Sequence, residues 1–330
     1  MRRELDWIIP VSAILAVQAV ACLALSLQFR PQGAPPFLRY GMIAATVCAL
    51  LIALFSLYAA IKSWRHPSPL SKMGEYFRRR RQRIAIFALG CALASVQLGT
   101  LTWTKSLIPL TTPLWADPLL AKADLALIGT DAWRIVHPLL APVETIIDTL
   151  YALWPVFLEL TLAAVLLRRP SSRKSVTLVA FFLTIGLTGV AGQFLVPSGG
   201  PIFWQRLGYG PHFDAMPVAP HTRWAADYLW ANFSGSSVEF ATGISAFPSM
   251  HVAMAVWIVF ACREMFPKAS PIAWSYLAVI VLGSVYLGWH YLVDGLGGSA
   301  GAILCWLLSR SLMKINLPRR RAAPASPATL

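Results

Sequence analysis

Charge is what this chain has least of. Only 13% of its 330 residues are Asp, Glu, Lys or Arg, about half the share of an ordinary soluble domain. Such scarcity excludes a water-soluble globular fold. Acidic residues are the rarer sign, 14 against 28 basic ones. Cysteine is sparse too. The five present (Cys22, Cys48, Cys91, Cys262, Cys305) lie in or at the ends of apolar stretches, which excludes a disulfide framework or a thiolate metal site. No internal repeat is found, so a solenoid is excluded as well.

What is there in abundance is hydrophobic sequence, 57% of the chain. Apolar stretches near the roughly 20-residue length of a membrane span run over 7–29, 38–61, 84–104, 145–167, 176–196, 247–266, 272–289 and 291–313. The weakest is 145–167, which follows Glu144 and carries Asp148 and Glu159. The pattern predicts an all-α, polytopic membrane protein of about eight transmembrane helices. The first stretch follows two arginines but has no small-x-small cleavage site, so a retained anchor is expected. Residues 1–63 are expected as an accessory transmembrane hairpin and 64–83 as a basic cytoplasmic linker. Residues 84–313 form a six-span functional unit, and 314–330 a disordered basic tail.

The net charge of +14 could suggest nucleic acid, but its distribution argues for a membrane. With the N-terminus inside and eight spans, 21 of the 28 basic residues fall on inner segments, the positive-inside pattern. Both termini are then cytoplasmic, the Arg78–Arg81 run is a cytoplasmic anchor, and 105–143 and 197–245 lie outside. The abundance of arginine over lysine and the absence of sorting signals point to a bacterial plasma membrane. The 105–143 segment is broken by proline and rich in tryptophan, which suits short helices at the membrane interface. Asp117, Asp124 and Asp131 recur there every seven residues. Solvated helix faces are the expected explanation, a cation or headgroup site the alternative.

The chemistry concentrates in two short motifs. Residues 245–251 read Ser-Ala-Phe-Pro-Ser-Met-His, and 286–294 read Tyr-Leu-Gly-Trp-His-Tyr-Leu-Val-Asp. Ionisable groups inside so apolar a chain mark function. His290 and Asp294 are four apart, so on a helix the carboxylate can hold the imidazole and leave its other nitrogen as a nucleophile of fixed tautomer. His251 follows Pro248 at what reads as a helix start, and in its protonated form can donate to a leaving oxygen. The amides of Ser249, Met250 and His251 then form an anion site at a helix N-terminus, to which the Ser249 hydroxyl can add. Each fragment alone is more often a structural pair or an interfacial polar residue than a site; their conjunction favours phosphoryl transfer. His212 and His221 lack such partners in the sequence and are expected as loop histidines.

Phe-Pro-Ser-Met-His-Val-Ala followed by His-Tyr-Leu-Val-Asp-Gly-Leu-Gly-Gly resembles the second and third motifs of the type 2 phosphatidic acid phosphatase superfamily. The wording is most similar to its inositol phosphorylceramide synthase-like branch. The resemblance covers roughly 84–313 and implies a six-helix catalytic core and a phosphohistidine intermediate. It assigns nucleophile to His290, orienting acid to Asp294 and leaving-group acid to His251. The family's first motif, Lys-x6-Arg-Pro, has its nearest register at Gln193-x6-Gly200-Pro201, which keeps the proline and loses both cations. Ser284 stands where the third motif usually has arginine. Gln193 and Gly200 are therefore phosphate-binding candidates by position. Arg206 is the first candidate for the missing cation, Arg223 the second and Lys105 the third.

These readings imply a lipid phosphotransferase on the extracytoplasmic face of the plasma membrane. Membrane lipids are its partners, ceramide or diacylglycerol is a candidate acceptor, and neither a cofactor nor nucleic acid is expected. A phosphatase of lipid phosphates or polyprenyl diphosphates is the close alternative. A metal-dependent hydrolase with His251, His290 and Asp294 as ligands, or a non-enzymatic transporter or scaffold, is more distant. Topology is testable first. In a cysteine-free background, a single cysteine at Ser236 is expected to react with an impermeant thiol reagent in intact cells, and one at Arg321 to be protected. The reverse pattern overturns the orientation.

Overall fold

The computed structural model describes residues 2–31, 33–235, 238–239 and 241–313; Ser236 and the expected tail at 314–330 lie outside them. Among the described residues the secondary structure is entirely helical. Helices α1 (Arg2–Phe29) and α2 (Phe37–Ser63) form an N-terminal hairpin followed by α3 (Pro69–Thr111). Two short helices, α4 (Asp117–Ile128) and α5 (Ala132–Leu140), lead to α6 (Glu144–Ala152) and α7 (Trp154–Leu166). Helix α8 (Ser172–Leu183) passes through a π-helical stretch, Thr184–Gly192, into α9 (Gln193–Leu195). A loop carrying α10 (Pro220–Ser234) precedes α11 (Met250–Met265), α12 (Ser270–Tyr286) and α13 (Leu292–Leu312).

Six helical stretches are long and apolar enough to cross a membrane, or seven if Ala132–Ala152 and Trp154–Leu166, bent by 46°, count as one. Pro155 opens α7, where its missing N–H and fixed φ suit a helix start but not a helix interior. The expected count of eight is not confirmed. The remaining stretch, α11, has 16 residues, about 24 Å at 1.5 Å per residue, short of a hydrocarbon core of roughly 30 Å. The basic segment expected as a linker is helical from Pro69 onward and continuous with the span behind it. Together they make α3 a rod of 43 residues, about 65 Å long.

Helix α11 is the centre of the fold, with 12 of its 16 residues buried. Helix α13 packs against it closely because Gly298 presents no side chain; a Cβ there would stand 2.3 Å from the Ser249 carbonyl oxygen. Small residues at such crossings are how helices in lipid gain van der Waals contact. Trp257 of α11 donates to the Thr177 carbonyl of α8 at 2.9 Å, and Ser309 of α13 donates to the Val176 carbonyl at 2.8 Å.

The N-terminal hairpin is less accessory than its position suggests. Gln18 of α1 and Gln97 of α3 exchange side-chain hydrogen bonds at 2.7 and 3.3 Å. Glu4 accepts from Lys174 at 2.8 Å, and that ammonium also donates to the Leu166 and Arg168 carbonyls at 2.9 and 3.2 Å. Both side chains of the ion pair are buried, and Trp7 donates to the other Glu4 oxygen. By contrast α2 buries only Tyr40, Ala59 and Ser63. Removing one member of a buried pair typically costs about 3–5 kcal/mol. Lys174→Met is therefore expected to lower thermal stability in detergent by that order, and Glu4→Gln combined with it to recover part of the loss. A change within about 0.5 kcal/mol would mean the pair contributes nothing.

Candidate active site

One end of the bundle is built from three loops around residues 196–200, 245–249 and 287–291. They are laced by backbone bonds. Ala246 N–H donates to the Ser198 carbonyl at 2.8 Å, Ile202 N–H to the Gly288 carbonyl at 2.9 Å, and Ser249 N–H to the Asp294 carbonyl at 3.0 Å. The Phe247 amide donates to the Ser198 hydroxyl at 2.9 Å. Gly200 is required by φ +90°, and a Cβ there would stand 2.3 Å from the Trp289 carbonyl oxygen.

Carboxylates from the neighbouring short helices hold these loops. Asp117 opens α4 fully buried and accepts from the Gly199 and Gly200 amides at 2.7 and 2.8 Å and from the Tyr291 hydroxyl at 3.0 Å. Burial pushes its carboxyl up to about 6, against the lowering effect of those three donors. Asp124 takes the Leu292 and Val293 amides at 2.7 and 2.9 Å, satisfying the open N-terminus of α13. Asp148 does the same for α10, accepting from the His221 amide and the Thr222 hydroxyl, each at 2.9 Å. The sequence-based expectation of solvated aspartates at 117 and 124 is thus corrected: both are internal anchors. Asp131 is the outward one, paired with Arg134 at 3.1 Å and His212 at 2.8 Å.

His290 ends the loop before α13. Its Nδ1 lies 3.3 Å from Asp294 Oδ2, and the same oxygen accepts from the Tyr291 amide at 3.0 Å. His290 and Asp294 do not share a helical turn; the carboxylate caps α13 and reaches back to the imidazole. Burial holds His290 down to about 3, with the Lys105 charge adding to that and the Ala246 carbonyl opposing it. The ring is therefore a neutral imidazole at physiological pH. His251, in the first turn of α11, faces it with ring centroids 5.7 Å apart. Tyr151 stacks on His251 at 4.6 Å and Trp154 meets it edge-on at 4.6 Å, so two aromatic rings fix the second imidazole.

Both histidines line a cavity of about 480 Å³ that also exposes Lys105, Gln193 and Trp289. Its far wall is apolar, with Leu98 and Leu101 of α3 and Leu158 of α7. The cavity contains the third-ranked cation of the sequence reading rather than the first. Arg206 turns away to pair with Asp227 and lies 5.8 Å from the Trp230 ring centroid; Arg223 is exposed and does not line the cavity. The signal for Lys105 was present in the sequence, a lysine at the end of an apolar span.

Other expected phosphate ligands are committed elsewhere. The Ser249 hydroxyl caps α11 by accepting from the Val252 amide at 3.4 Å, and its own amide is taken by Asp294. The amides of Met250 and His251 are the donors left without a partner among the described residues. The Gly200 amide belongs to Asp117. Gln193 straps the 245–249 loop, donating to the Ser245 and Pro248 carbonyls at 3.2 Å each, while its buried Oε1 has no partner. His212 is a loop residue as expected, whereas His221 lies in the first turn of α10 and lines the histidine cavity. Each has an acid beside it, His212 Asp131 at 2.8 Å and His221 Asp148 at 3.2 Å. No group of three His, Cys, Asp or Glu side chains among the described residues is arranged to hold a metal, so His251, His290 and Asp294 do not form the expected alternative metal site.

A helical membrane bundle with two facing histidines, one backed by a buried carboxylate, is the class these features define. The chain belongs to the PAP2 superfamily, which it matches over residues 130–308. Over 141 residues, 41% of this chain, it is 29% identical to the inositol phosphorylceramide synthase catalytic subunit aur1 of Schizosaccharomyces pombe (strain 972 / ATCC 24843). That alignment spans 32% of the relative's own length. No solved structure matches the chain.

Gly200 tests how the loops are laced. Gly208 has an equally unusual φ of +83° but open space around it, so Gly208→Ala costs only backbone strain, about 1 kcal/mol. Gly200→Ala adds a clash with Trp289 and is expected to cost about 3 kcal/mol or more in thermal unfolding. Equal losses for the two variants would show that the loops part freely at Trp289.

Proposed function

We propose that this chain is a membrane phosphotransferase that acts on lipid phosphate esters through a phosphohistidine at His290. The observation that carries the reading is the single cavity in which His290, His251 and Lys105 converge, with Asp294 behind His290. Nε2 of the neutral His290 attacks phosphorus while the bond from phosphorus to the donor's oxygen breaks. His251, whose ring burial holds neutral until the negative charge of the substrate phosphate draws a proton onto it, gives that oxygen the proton. Lys105 and the Met250 and His251 amides stabilise charge on the transferring group. In the second half an acceptor hydroxyl attacks phosphorus, the P–N bond breaks, and His251 takes the hydroxyl proton back. Asp294 fixes the His290 tautomer and stabilises the imidazolium form generated between the steps.

The apolar wall of the cavity suits a lipid donor and a lipid alcohol, ceramide or diacylglycerol, as acceptor. Similarity to an inositol phosphorylceramide synthase supports a donor whose phosphate carries a polyol headgroup. Were water the acceptor and the donor a lipid phosphate monoester, the same steps would make a lipid phosphatase. The bias of basic residues towards the far end of the bundle supports an extracytoplasmic site in the plasma membrane.

Purified protein incubated with phospholipid labelled on phosphorus is expected to form a covalent phosphoenzyme and, with ceramide or diacylglycerol, a labelled lipid product. His290→Ala abolishes both. Asp294→Asn keeps the fold and lowers the rate by about 10²–10⁴-fold. Lys105→Ala loses about 100-fold, whereas Arg206→Ala stays within about twofold. Vanadate inhibits and chelators do not. Normal turnover in His290→Ala overturns the mechanism; release of free phosphate with no lipid product converts the reading to a phosphatase.

A further inference from the structure

A second cavity lies at the opposite end of α3. It encloses about 420 Å³ between α2 and α3, closed on one side by Leu167 at the end of α7. Leu51, Phe55 and Tyr58 of α2 and Phe87 of α3 supply an apolar floor, and Arg80 and Arg83 stand on its wall. The guanidinium of Arg80 is held over the Phe55 ring at 5.2 Å and the Tyr76 ring at 5.7 Å. Phe55 is itself seated edge-on against Phe77 at 4.9 Å. Among the described residues neither Arg80 nor Arg83 has an acidic partner, and the nearby Glu75 is taken by Lys72 and Arg79. Two cations are therefore positioned at an apolar groove with nothing of the protein's own to neutralise them.

We infer that this groove is a binding site for one anionic phospholipid, its acyl chain on the Leu51–Phe55–Phe87 floor and its phosphate against Arg80 and Arg83. Charge complementarity selects this occupant. A second copy of the chain would bring the same arginines face to face, and the basic stretch Arg319–Arg321 is repelled. A zwitterionic lipid would place its own cation beside the two guanidiniums. Planar guanidiniums match phosphate oxygens in a fork, and cation–π seating keeps Arg80 from swinging free. The site is separate from the histidine cavity: Arg83 and Lys105 lie 22 residues apart on the one helix, about 33 Å along its axis. It needs neither the reaction nor the topology proposed above. Because α2 buries so little protein surface, a lipid in this groove would add contacts joining α2 to α3 and α7.

The test uses the full-length protein in nanodiscs containing a trace of photoactivatable phosphatidylglycerol or phosphatidylcholine, with adducts mapped by mass spectrometry. Wild type is expected to label at residues 48–58 and 80–88, with a preference of roughly tenfold for the anionic probe. Arg80→Gln/Arg83→Gln loses that preference while labelling around His290 is unchanged. Arg78→Gln/Arg81→Gln removes the same charge away from the groove and keeps the preference. Thermal unfolding shows that both double variants are folded; should the first not fold, Arg83→Gln alone is expected to lower the preference. Equal labelling by the two probes, labelling confined to the histidine cavity, or equal losses in the two double variants would overturn the inference.

Discussion

A carboxylate withdrawn from water has to be surrounded by donors, and in this protein backbone amides are chief among them. Asp117, Asp124 and Asp148 sit on α4 and α6, short helices with little packing of their own, and each reaches across to amides of a different segment. Asp117 fastens the loop after α9, Asp124 the start of α13, and Asp148 the start of α10. Asp294 repeats the arrangement at the site itself, dividing one oxygen between the Tyr291 amide and the His290 ring. Each clasp satisfies buried or half-buried groups, and leaving either side unpaired is what makes such contacts costly to break. The histidines are placed by this frame, since neither loop nor short helix would otherwise hold an imidazole in register.

The sequence made the helical membrane class, the two histidine motifs and the pairing of His290 with Asp294 legible, because apolar run length and residue spacing encode them directly. Less visible was the means of that pairing. Spacing of four suggested one helical face, whereas the acid caps α13 and the imidazole precedes it. Asp117 and Asp124 were misjudged for a related reason. Periodicity reports which residues share a face, not that amides of distant segments, Gly199 and Gly200 for Asp117 and Leu292 and Val293 for Asp124, will turn towards them. Arg206 was favoured by nearness in sequence to Gly200, yet a local acid, Asp227, captures it. Lys105 carries no motif and is brought in only by the packing of α3 against the loops. The crossing count was equally beyond hydropathy alone, since α11 is short and α6 and α7 are bent at a proline.

The two cavities differ in how they treat positive charge. At the histidine end a single lysine stands in an apolar wall close to two imidazoles, where charge is expensive and therefore directed. At the other end two arginines, Arg80 and Arg83, stand at a groove, and aromatic rings rather than carboxylates seat Arg80. One helix, α3, carries both ends. A residue count along it sets the distance between an economical, interior cation and a generous, surface one, and the segment expected to be a linker is what makes that rod continuous.

The ion pair that seats α1 has a consequence for biosynthesis. Glu4 and Lys174 are separated by 170 positions, and Gln18 and Gln97 by 79. When the first helix leaves the ribosome, neither of its polar partners has been translated. Until α8 emerges, Glu4 has no buried lysine to neutralise it and is better accommodated in water at the membrane edge than in the bundle. The Glu4–Lys174 clasp therefore closes only after α8 is made, later than the Gln18–Gln97 contact with α3.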